Sequence, residues 1–190
     1  PTSYVIFEHL GYNGSAQEET EWANYRVNEG KGIMLWGKAT HNFNQNTMGY
    51  ADESNFDWIK HTEKGFQKKH LVAYAESHDE ERLMYKNLQW GAQQGNYNVK
   101  DLATALERQK AVGALLFTIP GPKMFWQFGE LGYDFSINAC ENGTLNDGCR
   151  TDPKPIPSEI GYTTEENRNA VYETWAKIID LRLNNEVFNT

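Results

Sequence analysis

The sequence predicts an α/β fold made of parallel strand-helix units. Short apolar runs, typical of strands buried on both faces, alternate with longer polar or amphipathic stretches. Such alternation implies a parallel sheet with right-handed crossovers. The predicted strands are residues 4–7, 33–36, 71–75 and 123–127. Four units are half of an eight-unit barrel of ~250 residues, so we expect half of a TIM-type (β/α)8 barrel.

The stretches between the first three predicted strands carry weaker signals. Residues 17–28 are polar and rich in Glu, and Gly30 ends the short helix that they can form. Residues 42–55 are expected to be a loop. Residues 56–69 are expected to form a helix whose ends are poorly marked.

The two later helices are better marked. Asn98 is expected to cap the first of them, with Asp101 three residues on. Apolar residues then recur at helical spacing: Leu102, Ala105, Leu106, Val112 and Leu116. A loop rich in Gly, Asn, Asp and Pro fills residues 129–162. A capping box at residues 163–166 opens the last helix, which carries Trp175 on its apolar face.

Composition and charge exclude several classes of protein. The chain has 190 residues, which suit one domain over residues 1–190, and 39% of them are apolar. Its 18 basic and 26 acidic residues give a net charge of −8, which argues against nucleic acid as a partner. No apolar run approaches the ~20 residues of a membrane span. Because Pro1 rather than Met comes first, we expect a piece of a longer protein.

The two cysteines flank a polar loop. Cys140 and Cys149 can close a disulfide or remain free thiols, and the sequence favours neither. Zinc would need four ligands at characteristic spacing, and neither a His nor a third Cys follows closely. We therefore predict no metal site at this pair.

Acidic residues follow two of the predicted strands. Glu8 comes directly after the first, and Glu76 and Asp79 follow the third. The loops at the carboxyl ends of parallel strands converge on one face, and two acids across a cleft there are the equipment for glycoside hydrolysis. A structural explanation competes with this one. We interpret Glu76 as a helix cap or a solvated charge, and Asp79 could cap the helix that follows.

Three motifs occur in order along the chain. Residues 4–8 read as a strand that ends in Glu, and residues 74–79 read Tyr-Ala-Glu-Ser-His-Asp. Residues 115–132 pass through a Pro-Gly turn and end in Gly-Glu-Leu-Gly, residues 129–132. Together they resemble the fifth, seventh and eighth strands of glycoside hydrolase family 13, the α-amylase family. The resemblance implies the C-terminal half of the catalytic barrel, strands five to eight, without the N-terminal half or the C-terminal sheet domain.

The resemblance also implies roles for particular residues. Glu8 would be the general acid/base, and Asp79 would be the second catalytic carboxylate, which binds sugar hydroxyls and steadies the transition state. His78 would hydrogen-bond the sugar, and Glu130 would organise the rim of the barrel.

Aromatic residues and partners complete the expectations. Trp36, at a strand end, and Trp90, in a Gly-flanked loop, are predicted to bind substrate because aromatic faces stack on sugars. No cofactor is predicted, and calcium is expected only in a full-length parent, through an inserted domain absent here. The expected ligand is an α-glucan or oligosaccharide. Open barrel edges predict self-association, and we expect a secreted or cell-envelope parent.

The nucleophile of the family is missing. Its Asp ends the fourth strand within a Gly-Phe-Arg-x-Asp motif, which does not occur in this sequence. We therefore expect part of a retaining hydrolase of α-glucosidic bonds in starch-like or related α-glucans, inactive as the 190-residue chain. Two alternatives stay open: a non-catalytic α-amylase-related domain that binds glycans or proteins, and another acid-dependent barrel enzyme.

Overall fold

A parallel sheet organises the fold. The computed structural model describes residues 3–9 and 14–189, which form a mixed α/β structure. The three strands of the sheet lie in sequence order: β1 (Ile6–Phe7), β2 (Met34–Lys38) and β3 (Leu71–Tyr74). A fourth segment joins β3 through a single parallel bridge between Ala73 and Lys123. The α/β class and the parallel pairing are confirmed, although the fourth predicted strand is reduced to this bridge.

Helices make up most of the regular structure in the described ranges. The α-helices are α1 (Ala16–Asn24), α2 (Thr40–Met48), α3 (Leu83–Trp90), α4 (Leu102–Thr118) and α5 (Glu166–Leu183). Short 3-10 helices lie at Val27–Glu29, Asp57–Ile59, Gly129–Leu131, Asp147–Cys149 and Glu186–Asn189. A small antiparallel hairpin, β4 (Gln93–Gln94) with β5 (Tyr97–Asn98), connects α3 to α4.

The largest core cluster joins β3 to the helices that follow it. Trp175 of α5 is buried there, and its indole N–H donates to the carbonyl oxygen of Gln109 at 2.9 Å. Gly113 permits this close approach of α4 and α5, because an added Cβ would lie 2.4 Å from the Trp175 ring. The prediction that Trp175 belongs to the core is confirmed.

Residues 42–55, expected to be a loop, begin inside helix α2. The segment is rich in residues with weak helix propensity, but Phe43 is fully buried. Two polar side chains find partners within the helix. The Asn44 amide donates to the Thr40 carbonyl oxygen at 2.7 Å, and the Thr47 hydroxyl donates to that of Phe43 at 2.9 Å. Burial and internal hydrogen bonds therefore override propensity here.

Residues 56–69, expected to be a helix, contain only the 3-10 helix Asp57–Ile59 and turns. Gly65 has a φ of +70°, which a continuing α-helix does not allow. The Thr20 hydroxyl of α1 donates to the carbonyl oxygen of Lys64 at 2.7 Å, so a side chain satisfies backbone that a helix would otherwise pair.

The predicted caps of the two later helices are wrong in detail. Asp101 stands at the N-cap of α4 without a side-chain cap bond, and the Asn98 amide donates to its carboxylate at 2.9 Å. Glu165 stands at the N-cap of α5, also without a cap bond. The Thr164 hydroxyl donates backwards to the carbonyl oxygen of Gly161 at 2.8 Å.

Strand β1 is exposed, although its sequence predicts a strand buried on both faces. Ile6 is 49% exposed and Phe7 is 40% exposed. Within the described ranges β1 pairs with β2 alone. Residues with the composition of a central strand therefore form an edge strand of the sheet in the described ranges.

Candidate active site

The carboxyl ends of the strands meet at one end of the sheet because the strands are parallel neighbours. Glu8 follows β1 directly, Lys38 ends β2, and a turn that contains Asp79 follows β3. Ser77 shapes this turn, since its Oγ accepts from the Asp79 N–H at 3.1 Å and its hydroxyl donates to the Glu80 carboxylate. The Lys38 ammonium lies 2.6 Å from the Glu80 carboxylate and ties β2 to the same turn.

Three of the predicted site residues form one cluster. A carboxyl oxygen of Glu8, a ring nitrogen of His78 and a carboxyl oxygen of Asp79 all lie within 4.8 Å of one another. All three side chains are exposed. The two predicted acids and the predicted histidine therefore share one surface that a ligand can reach.

Aromatic rings frame the His78 side of this cluster. The Trp36 ring lies 6.0 Å from the His78 ring, and Trp126 lies at the same distance from it. Trp36 also packs edge-on against Tyr74 at 5.1 Å. Trp36 thus lies beside His78, and its substrate-binding role stays a prediction.

Tyr74 lies beneath the cluster and responds to its charges. Burial raises the pKa of Tyr74 above its ordinary value, and nearby carboxylates raise the pKa further. Those carboxylates belong to Glu80, Glu8 and Asp79. Three carboxylates therefore lie near this end of the sheet, and two of them, those of Glu80 and Asp79, are paired with Lys38 and Arg150.

Trp90, the other tryptophan predicted to bind substrate, lies elsewhere. It is the last residue of α3, which spans Leu83–Trp90. Its ring contacts Tyr85 at 5.9 Å, and its carbonyl oxygen accepts from the Tyr50 hydroxyl at 2.8 Å. The structure does not bring Trp90 to the Glu8–Asp79 cluster.

Asp79 is held by an arginine from a distant loop. Nη2 of Arg150 donates to the Asp79 carboxylate at 2.8 Å and to the Asp79 carbonyl oxygen at 2.7 Å. The alternative in which Asp79 caps α3 does not apply, because α3 begins at Leu83 and Arg82 stands at its N-cap. Asp79 is thus an exposed carboxylate whose Oδ1 is bound by Arg150.

Glu76 has the structural role expected of it. Its carboxylate is buried and accepts from the N–H of Leu83 at 2.8 Å, at the first turn of α3. Burial raises the pKa of Glu76. Of the two structural interpretations, the solvated charge is wrong because Glu76 is buried, and its carboxylate instead accepts from a backbone N–H in the first turn of α3 although Arg82 holds the N-cap position.

Glu130 is half-buried and lies within the short 3-10 helix Gly129–Leu131, after the fourth sheet segment. Burial raises the pKa of Glu130, and its Oε2 finds no hydrogen-bond partner among the described residues. The charge of Arg82 counteracts part of this rise. Glu130 has no contact with the Glu8–Asp79 cluster in the described part of the chain, and its predicted role at the rim stays a prediction.

A cavity of about 440 Å³ adjoins His78 and extends away from the acids. Its walls combine aromatic rings with charged groups, among them Trp126, Tyr133, Arg150 and Asp152. Arg82 lies in the wall with its guanidinium 5.1 Å from the centre of the Tyr133 ring. A cavity with aromatic faces and a few polar groups is suited to a small polar ligand.

The residues that sequence reasoning missed here are Arg82, Trp126 and Arg150. Trp126 lies inside the eighth-strand motif, so its position beside His78 was accessible from the resemblance. Arg150 directly follows Cys149, so it lies at the end of the loop that the Cys140–Cys149 disulfide closes. The two cysteines were the available signal, because predicting their disulfide would have indicated an ordered loop next to Arg150.

The spacing of Glu8, His78 and Asp79 would also suit a shared cation. Exposed acidic groups often lie this close without an ion, so the spacing alone does not define a metal centre. Cys140, Cys149 and Asp152 are equally close together, but disulfide sulfurs are not available as thiolate ligands.

Comparisons with known proteins add no identification. No protein-family model matches the chain, and no curated protein matches it. Among the described residues, no helix has the length and apolarity that crossing a membrane requires.

Proposed function

We propose that the chain is the C-terminal half of the catalytic barrel of a retaining glycoside hydrolase of the α-amylase type. Its substrates would be starch-like or related α-glucans. One observation carries the proposal: Glu8 and Asp79, from opposite strands of the sheet, lie within 4.8 Å of each other together with His78. That combination joins an acid, a second carboxylate and a hydrogen-bonding ring at the carboxyl ends of parallel strands.

The order of the strands supports the half-barrel part of the proposal. β1, β2, β3 and the segment at Lys123 are neighbours in sequence order and parallel to one another. Helices lie between successive strands, as in a (β/α)8 barrel. Exposure of the apolar strand β1 fits a strand whose next neighbour belongs to the other half.

Each residue has a defined task in the proposed reaction. Glu8 donates a proton to the oxygen of the leaving sugar. The negative charge of Asp79 offsets the positive charge that develops on the sugar ring, while its free oxygen accepts from a sugar hydroxyl. His78 holds the same sugar by a hydrogen bond, and Trp36 offers a ring edge beside it.

The nucleophilic step has no residue in this chain. Retaining hydrolysis needs a carboxylate that forms the glycosyl-enzyme intermediate, and the sequence lacks the motif that would supply it. Removal of one member of such a catalytic unit typically costs several orders of magnitude in rate. The proposed role of the isolated chain is therefore to bind glucan without turnover.

Maltoheptaose binding to the 190-residue chain tests the proposal by isothermal titration calorimetry. The wild type should bind this α-linked probe and not the β-linked cellohexaose. Asp79→Asn should weaken binding about tenfold, because a charged hydrogen bond to a sugar hydroxyl is lost. The matched control is Glu29→Gln, another exposed carboxylate paired with an arginine, Arg26.

Two results would contradict the proposal. One is the absence of maltoheptaose binding by the folded wild type. The other is binding that Asp79→Asn and Glu8→Gln leave unchanged, which would instead favour a non-catalytic binding domain with its site elsewhere. Hydrolysis of maltoheptaose by the wild type, abolished by Glu8→Gln, would contradict only the expected inactivity.

A further inference from the structure

We propose that Arg150 is a positioning residue that fixes Asp79 opposite Glu8, and that the disulfide-closed loop delivers Arg150 to this place. The role of this contact in glucan binding rests on the proposed function. The contact itself does not, because it is defined by the geometry of the loop and the turn after β3.

The contacts of Arg150 converge on two consecutive residues. Nη2 donates to Oδ1 of Asp79 at 2.8 Å and to its carbonyl oxygen at 2.7 Å. The carbonyl oxygen of His78 lies 3.4 Å from the same nitrogen. One guanidinium thus binds both the side chain and the backbone of the His78–Asp79 pair, which restricts the turn as well as the carboxylate.

The loop that carries Arg150 is tied together at its base. The Cys140–Cys149 disulfide ends one residue before Arg150. The Lys154 ammonium donates to the carbonyl oxygens of Ala139 and Cys149, both at 2.7 Å. These links join the two sides of the loop around Arg150, so its position depends on them.

Charge explains why Asp79 needs such a contact. Carboxyl oxygens of Glu8 and Asp79 lie within 4.8 Å of each other, and two carboxylates at that distance repel. The cation of Arg150 offsets this repulsion on the Asp79 side. Both Arg150 and the His78 ring approach Oδ1. Among the described residues no donor reaches Oδ2, which leaves that oxygen for a ligand hydroxyl.

The contact should matter for the site and little for folding. The Arg150 and Asp79 side chains are 44% and 50% exposed, and ion pairs so exposed contribute little to stability. A purely structural arginine would lower the melting temperature when removed. A positioning arginine should change ligand affinity and the local order of the turn while the melting temperature stays the same.

NMR of the arginine side chains and maltoheptaose titration test the proposal on the full chain. In the wild type we expect separate Nη signals for Arg150, because its contacts slow rotation of the guanidinium. Arg150→Ala should weaken maltoheptaose binding three- to tenfold, and Arg150→Lys should restore part of the affinity. Arg26→Ala is the matched control, since Arg26 is an equally exposed arginine in a salt bridge with Glu29.

The double variant Cys140→Ser, Cys149→Ser tests whether the disulfide is needed to hold Arg150 in place. It should average the Arg150 Nη signals and weaken binding to the same extent as Arg150→Ala. Averaged Nη signals of Arg150 in the wild type would contradict the Arg150–Asp79 contact, independently of whether maltoheptaose binds. Unchanged Arg150 signals in the double variant would contradict the role of the disulfide. If Arg150 is ordered but the wild type binds no maltoheptaose, the proposed function fails and the Arg150–Asp79 contact stands.

Discussion

Lys123 is a largely buried cation at the fourth segment of the sheet. Its ammonium donates to the carbonyl oxygens of Pro120 at 3.1 Å and Gly121 at 2.8 Å. Burial, together with the smaller effect of the Arg182 charge, lowers the pKa of Lys123 to about 7. Between about pH 7 and the ordinary value of 10.5, the folded state therefore binds fewer protons than the unfolded state.

This difference fixes the sign of a pH effect. The free energy of unfolding should rise with pH between about 7 and 10.5, because in this range the unfolded state still binds the proton that the folded state has lost. Lys123→Met should remove ~2 kcal/mol of that rise in the free energy of unfolding. This value is smaller than the pKa difference alone would give, because the carbonyl partners of Lys123 favour the ammonium form. Urea denaturation at pH 7 and about pH 9.5 measures it.

Lys68→Met is the control for Lys123→Met, because Lys68 is an exposed lysine two residues before the end of the loop into β3. Its pH dependence should match that of the wild type. Equal slopes for wild type and Lys123→Met would show that Lys123 titrates alike in the folded and unfolded states, contrary to the prediction.

The sequence predicted those site residues that lie close after the carboxyl end of a strand. Glu8 directly follows β1, and His78 and Asp79 lie in the turn after β3, where parallel topology brings the segments together. Arg150 could not be predicted in the same way, because it lies in an irregular loop whose course depends on a disulfide and on side-chain contacts. Trp90 was predicted to bind substrate as a tryptophan in a Gly-flanked loop, whereas the structure places it at the end of α3 in contact with Tyr85 and Tyr50.

The packing of α4 against α5 depends on Gly113, because a residue with a side chain would not fit at this position. At Gly113 an added Cβ would lie 2.4 Å from the indole of Trp175, which is itself buried and hydrogen-bonded. Gly113→Ala should therefore destabilise the fold by about 2 kcal/mol, although alanine favours a helix over glycine. Thermal unfolding followed by circular dichroism measures the change.

Ala114→Ser provides the comparison, since Ala114 is the next residue of α4 and is exposed. It should leave the melting temperature nearly unchanged. A Gly113→Ala variant more stable than the wild type would mean that α5 moves aside freely, and the close packing of the two helices would then have no energetic weight.

Elements were predictable where an apolar pattern was strong. Strands β2 and β3 and helices α4 and α5 all carry such patterns, and their cores form as expected. Helix α2 was missed because its Asn, Gln and Thr residues resemble a loop, whereas its stability comes from burial of Phe43. Residues 56–69, expected to be a helix with poorly marked ends, form the 3-10 helix Asp57–Ile59 and turns instead.

For the whole molecule, the exposed strand β1 predicts self-association. Its apolar side chains and open backbone edge resemble the interior of a sheet, and such edges pair with other chains. Sedimentation velocity between about 5 and 200 µM should show a concentration-dependent dimer. Ile6→Lys should shift the protein to the monomer, because a charge on an edge strand opposes pairing.

Tyr172→Lys is the control for the edge variant, because Tyr172 is a comparably exposed apolar residue on α5, away from β1. It should leave the dimer intact. A wild type that stays monomeric over this range would refute self-association through β1, and equal effects of both variants would point to non-specific association.

The disulfide restricts the cellular compartments in which the chain can form this structure. A bond between Cys140 and Cys149 forms and persists only where an oxidant is at hand, and a reducing cytosol keeps such pairs as thiols. Material produced in the periplasm and material produced in the cytosol would therefore differ by one covalent bond next to Arg150. The choice of expression compartment decides which of these two molecules an assay measures.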